Sequence, residues 1–260
     1  MAVNHDAPFH IKKKVFDAAF SSAILYSCEC WIKVPLRSIE SLYNSALKAL
    51  LGVRPTTCND VCIIEAGVPA VSALVRRRQA KFFKVFSTRS HLQDDPLMFA
   101  LRLTETGNKP MYKRIMEVRD SRDHFSVDLA VRQNAIRQKN GSKYTTYVSL
   151  NPNLETPSLY TSHHPFPDNL RISFTRFRTS SHRLRVERGR WCRTPREQRT
   201  CGCGSGAIQD EAHVFECVHT RDVRNAAGFN EGDGFVKLFA NPDVKNLKML
   251  KECLRILEDA

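Results

Sequence analysis

The sequence has no long hydrophobic run. Its longest uncharged apolar stretch, Ala18–Cys28, covers 11 of 260 residues. A helix that crosses a bilayer needs ~20, so no membrane partner is expected. Met1–Lys14 passes straight into charged residues without an apolar segment, which predicts no secretory leader. Sustained period-two alternation is missing too, save at Tyr144–Leu150, so little β-structure is expected. No internal repeat is visible. Acidic residues are the minority sign, 27 against 40 Lys and Arg, for a net charge of +13. An excess of that size points to an anionic partner.

Cysteine, by contrast, is plentiful. Nine are present, an odd number with no leader before them. That combination predicts an intracellular location, nucleus and/or cytoplasm, where clustered thiols favour a metal over disulfides. A hydrophobic content of 42% permits real cores. Val15, Phe16, Ala19, Phe20, Ala23 and Ile24 predict a helix from about Ile11 to Trp31, stopped by Pro35. Leu36, Ile39, Leu42, Tyr43, Ala46, Leu47, Leu50 and Leu51 predict a second, with Gly52 just past its end. Asn59 or Thr57 would cap a short helix through Cys62–Ile64, closed by Gly67. A third long helix carries Val71, Leu74, Val75, Phe82 and Phe86. Weaker helical stretches fall at 95–104, 109–119 and 123–139. Residues 151–169, with Pro152, Pro157, Pro165 and Pro167, read as a linker. A last helix is expected to be capped by Asn241, with Pro242 at its first position.

The most specific motif is Cys201-Gly-Cys203, nine residues, His213, three residues, Cys217. Three thiols and an imidazole are zinc ligands, and tetrahedral zinc takes four at about 2.0–2.3 Å. The glycine-rich turn Gly202–Gly206 lets backbone wrap a metal. His213 and Cys217, four apart on an expected helix begun by Asp210 and Glu211, would share one face. Two turn cysteines, a helix histidine and an unrelated buried cysteine are the alternative.

Positive charge is concentrated rather than spread. Residues 171–199 hold ten arginines, no lysine and only Glu187 and Glu197, while Arg76, Arg77, Arg78, Lys81 and Lys84 form a second group. Within the first, Phe174, Phe177, His182 and Trp191 alternate with guanidinium groups. Arginine grips phosphate in a fork and aromatic faces stack on unpaired bases. Arg171, Arg176, Arg178, Arg183, Arg185, Arg188 and Arg190, with Phe174, Phe177 and Trp191, are therefore candidates for contact with RNA or DNA. A solvated helix face is the competing reading, and for Arg76–Arg78 it weighs equally. Asp94-Asp95 is followed at once by Pro96 and lacks the apolar strands of a two-metal site. Pro242-Asp243 reads as a helix start. Cys28, Cys30, Cys58 and Cys62 have no histidine close in sequence and read as core, and His163-His164 has no partner.

Two segments together resemble the C-terminal part of a non-LTR (LINE-type) retrotransposon reverse transcriptase. KKKVFDAAFSSAILYSCECW, IESLYNSALKALLGV and NDVCIIEAGVPAVSALVRRRQAKFF are similar to the helical thumb and connection that follow the polymerase palm. RFRTSSHRLRVERGRW and RTCGCGSGAIQDEAHVFECVHTRDVR are similar to the zinc-knuckle-like region near the end of such polyproteins. The resemblance implies zinc on Cys201, Cys203, His213 and Cys217. It also implies a mainly α fold: a thumb-like helical part over 1–150, a linker at 151–169, and a zinc-binding module with a terminal helix over 170–260. The family's aromatic-x-Asp-Asp metal site is absent, so the expected function is non-catalytic nucleic-acid binding, with no small-molecule substrate. An inert or protein-interacting remnant, or a tail serving a palm supplied in trans, are the alternatives.

Overall fold

The computed structural model describes residues 7–31, 34–88, 117, 124–161, 166–229, 238–239 and 242–259. The elements are helical: α1 Phe9–Val15, a π-helical turn Phe16–Ser21, α2 Ser22–Ile24, a 3-10 turn Cys28–Cys30, α3 Arg37–Leu51, α4 Asn59–Ala66 and α5 Val71–Thr88. There follow α6 His124–Arg137, α7 Ser142–Leu150, α8 Ser158–Thr161, α9 Asp168–Arg178, α10 Arg185–Trp191, α11 Arg221–Ala226 and α12 Val244–Asp259. Among the described residues the only β-pairing is an antiparallel bridge, Thr200 with Ile208. The expected mainly α class therefore holds.

Several expectations change in detail. The first helix is broken up, because a π turn adds a residue and moves the buried side chains to Phe16, Ser21 and Leu25. Tyr144–Leu150 is helix, not strand: Tyr144 and Thr145 donate to Gly141 O at 2.8 and 3.1 Å, and Tyr147 and Leu150 share the buried side. The last helix begins after Asp243, whose carboxylate accepts from Asn246 N at 2.7 Å. Asn241 lies outside the described residues, as do 95–104, Asp94-Asp95, His163-His164, all of 109–119 but Glu117, and the side chain of Phe86.

The chain divides into two compact units that are interleaved in sequence: 1–14, 46–67 and 135–260 in one, 15–45 and 68–134 in the other. The boundaries expected at 150 and 170 do not coincide with them. Residues 151–169 belong to the first unit, where Leu154, Leu159 and Tyr160 are buried and Thr156 Oγ1 donates to Ile64 O at 3.0 Å. Gly67 ends α4 at φ +60, and a Cβ there would sit 2.5 Å from Thr156 Oγ1. The proline-containing segment thus closes against the end of α4.

In the first unit α9 packs on α12 and α7, around Phe174, Phe177, Phe215, Phe239 and the buried side of α12. Inside this apolar setting lies Glu65. Its carboxylate receives Arg178 Nε at 2.8 Å and Nη2 at 3.1 Å, Tyr147 Oη at 2.9 Å and Tyr160 Oη at 3.4 Å. Burial, with Glu65 beside them, pushes both tyrosines upward. A second pair ties the start of α9: Asp168 meets Lys12 at 2.6 Å and Arg171 at 2.8 Å. Burial would raise the Asp168 carboxyl, but the Lys12 hydrogen bond and the Arg171 charge outweigh it and hold it below its ordinary value.

In the second unit the 3-10 turn packs on α5. Gln79 Nε2 donates to Cys28 O at 3.2 Å and Trp31 O at 2.7 Å, and Arg78 Nη1 to Leu25 O at 3.1 Å. Of the Arg76–Arg78 group, Arg76 and Arg77 are exposed and Arg78 serves this packing.

Arg178→Ala should cost about 3–5 kcal/mol in denaturant unfolding, because it strands a buried carboxylate; the same change at exposed Lys245 should stay within about 0.5 kcal/mol. Asp168→Asn tests linkage. A depressed carboxyl stabilises the fold fully above its ordinary range, about 3.8, and loses that contribution as pH falls below it. The stability gap between wild type and Asp168→Asn should therefore be full above about pH 4 and close in more acidic solution.

Candidate metal centre

Four residues converge in the first unit. The ligand atoms of Cys201, Cys203, His213 and Cys217 all lie within 4.8 Å of one another. Cys201 Sγ is 3.8 Å from Cys217 Sγ, and Cys203 Sγ is 3.4 Å from His213 Nε2. A tetrahedron with zinc-to-sulfur distances of about 2.3 Å has edges of about 3.8 Å, so the spacing suits one four-coordinate ion. It is too wide for a disulfide, and all nine cysteines are free thiols.

Local backbone explains the convergence. The Thr200–Ile208 bridge draws a tight hairpin, with Cys201 N donating to Ala207 O at 2.8 Å and Gln209 N to Arg199 O at 2.9 Å. Gly204 and Gly206 take φ +81 and +74, a region that strains other residues, and thereby turn the loop around the cluster. The expected helix across 210–217 shrinks to a single turn. Asp210 Oδ1 accepts His213 N at 3.2 Å, and Cys217 N reaches His213 O at 2.9 Å, but Cys217 itself is extended. One turn suffices to bring His213 and Cys217 together. Glu211 does not serve the dipole: it is buried, with Ser180 Oγ at 2.7 Å and His182 Nε2 at 2.9 Å. Burial opposes its charge, yet the His182 and Ser180 hydrogen bonds hold its carboxyl at about 2.

The four thiol and imidazole groups sit in unequal surroundings. Cys203 is partly exposed, and a hydrogen bond with Ser205 Oγ at 3.1 Å draws its thiol down to about 6. Burial pushes Cys217 up to about 12. Gln209 braces the cluster: its Nε2 lies 3.8 Å from Cys201 Sγ and donates to Leu257 O at 2.9 Å, while its Oε1 accepts Arg185 N at 2.8 Å. With four protein donors the site is closed, the pattern of a structural rather than a catalytic ion. Such an ion would supply folding energy to a loop with little core of its own. Among the described residues Cys28, Cys30, Cys58 and Cys62 form no second cluster; burial raises Cys62 to about 12.

The arginine segment is sorted by the structure. Arg171 and Arg178 are 2% and 3% exposed, and Phe174 and Phe177 are 0%. As sequence candidates for phosphate and base contact these four are corrected. The arginines are consumed by Asp168, Glu65 and the carbonyls of Leu50, Leu51 and Leu150, and the rings fill the core. Arg185 is half-buried, its Nη1 on Thr200 O at 3.0 Å. Arg176, Arg183 and Arg188 are exposed, Arg190 is half-buried against Glu187, and Trp191 is 48% exposed. Sequence reasoning missed Arg54, whose guanidinium lies over the Trp191 ring at 3.9 Å. It is separated from that ring by more than a hundred residues, and no local signal marks it.

Elemental analysis of protein purified without added metal should find zinc in the wild type, and Cys217→Ser should abolish it. The substitution should also lower thermal stability, as should a strong chelator acting on wild type. Cys62→Ser should leave the zinc content unchanged.

No protein-family model, no curated protein and no solved structure matches the chain.

Proposed function

We propose that the chain is a non-catalytic, zinc-stabilised nucleic-acid-binding fragment, related to the C-terminal part of a non-LTR retrotransposon reverse transcriptase. One observation carries the reading: an exposed arginine face is fastened to the metal hairpin. Arg185 N and Val186 N, at the start of α10, donate to Gln209 Oε1 and O at 2.8 and 3.1 Å, and Arg185 Nη1 reaches Thr200 O. Arg183 and Arg188 flank these anchors and stay exposed, with Arg176 on α9. The zinc would hold the scaffold, and these three arginines would meet phosphates. Trp191 offers an exposed face backed by Arg54 on which a base would stack.

A second reading, a packing or protein-interaction remnant, is favoured by the burial of Arg171, Arg178, Phe174 and Phe177. Salt dependence separates the two. Binding to phosphates releases counterions, so log affinity for single-stranded RNA or DNA falls by roughly 0.7 per phosphate contact per unit of log salt. Changing Arg176, Arg183 and Arg188 together to Gln should flatten that slope by about two units, measured by anisotropy across a salt series. Absence of binding by the wild-type chain at low salt selects the remnant.

A further inference from the structure

Away from the metal cluster, the first unit contains a cavity of about 360 Å3 between the loop before α4, the start of α7, and Arg190 of α10. At its side lies Glu187, whose carboxylate is wholly inaccessible. Three cations converge on that one group. Lys143 Nζ is 2.6 Å from Oε2 and Arg54 Nη2 is 3.4 Å from it, while Arg190 holds Oε1. Lys139, close by, is taken by Asp60 at 3.2 Å. Among the described residues the cluster therefore keeps two positive charges in excess. Gathering like charges in partly desolvated surroundings is unfavourable unless an anion offsets them. Two buried donors of Arg54, Nε and Nη1, also have no acceptor among the described residues.

Of the three cations, Lys143 and Arg190 line the cavity, as do Thr56, Thr57 and Ser142, and Arg190 Nη2 donates to Ser142 Oγ. Two cationic residues and three hydroxyl-bearing residues around one space suit a tetrahedral dianion better than a single carboxylate. The volume would hold about a dozen waters at ~30 Å3 each, enough for a phosphate with part of the group it esterifies.

We propose that this cavity binds a phosphate group, with Lys143 and Arg190 as its charged donors. Glu187 acts as the positioning residue that holds both cations at the wall. The phosphate belongs either to a small ester or to a nucleic-acid strand; the chemistry at the seat is the same. The proposal does not depend on the exposed arginine face, whose residues lie outside the cavity lining.

Isothermal titration of the full, zinc-loaded chain tests it, with inorganic phosphate, adenosine monophosphate and adenosine as probes. Wild type should bind the first two and not adenosine. Lys143→Gln should weaken phosphate and adenosine monophosphate by about tenfold, while Lys143→Arg, which keeps the charge, should retain them. If Lys143→Gln also weakens single-stranded RNA or DNA, the phosphate is a strand's. If strand binding is unchanged, a small ester is the occupant. A wild-type chain that binds no strand but still binds phosphate defeats the nucleic-acid reading alone. The proposal is overturned if wild type binds neither phosphate nor adenosine monophosphate, if adenosine binds as well as its phosphate, or if Lys143→Gln binds like wild type.

Discussion

The Glu65–Arg178 pair is the contact on which the first unit depends. A carboxylate without accessible surface is tolerable only when every lone pair is used, and here two tyrosines and a forked guanidinium use them. The pair joins α4, α7, α8 and α9, and so fixes which side of α9 faces inward. Once Arg178 is turned to Glu65 and Arg171 to Asp168, helical geometry sends Arg176 outward. The exposed basic face is thus set by the buried one.

The second constraint is the hairpin that carries Cys201 and Cys203. It has little apolar content and is held by its bridge and by Gln209, and it brings together four side chains that could hold a metal ion. Gln209 connects the cluster to both α10 and the end of α12, through Arg185 N and Leu257 O. An ion seated there would therefore stabilise more than its own loop, because the same side chain anchors the helix with Arg188, Arg190 and Trp191.

How far the sequence discloses this depends on sequence separation. The Cys201–Cys203–His213–Cys217 cluster is legible because its four members fall within seventeen residues and local turns bring them together. Gly52 and Gly67 mark helix ends correctly, since both need positive φ. The arginine run misleads for the opposite reason. Its composition reads as a surface, but the carboxylate that buries Arg178 is 113 residues away, and no spacing rule reports such a partner. The prolines of 151–169 likewise suggest a linker, whereas the packing of Leu154, Leu159 and Tyr160 is visible only in three dimensions. The Glu187 cavity gathers residues from three distant segments and has no local signature.

Zinc K-edge X-ray absorption on the purified protein addresses the metal cluster most directly. A closed site of three thiolates and one imidazole requires three sulfur scatterers at about 2.3 Å and one nitrogen at about 2.0–2.1 Å. A shell of oxygen and nitrogen alone, or protein without zinc, would contradict it.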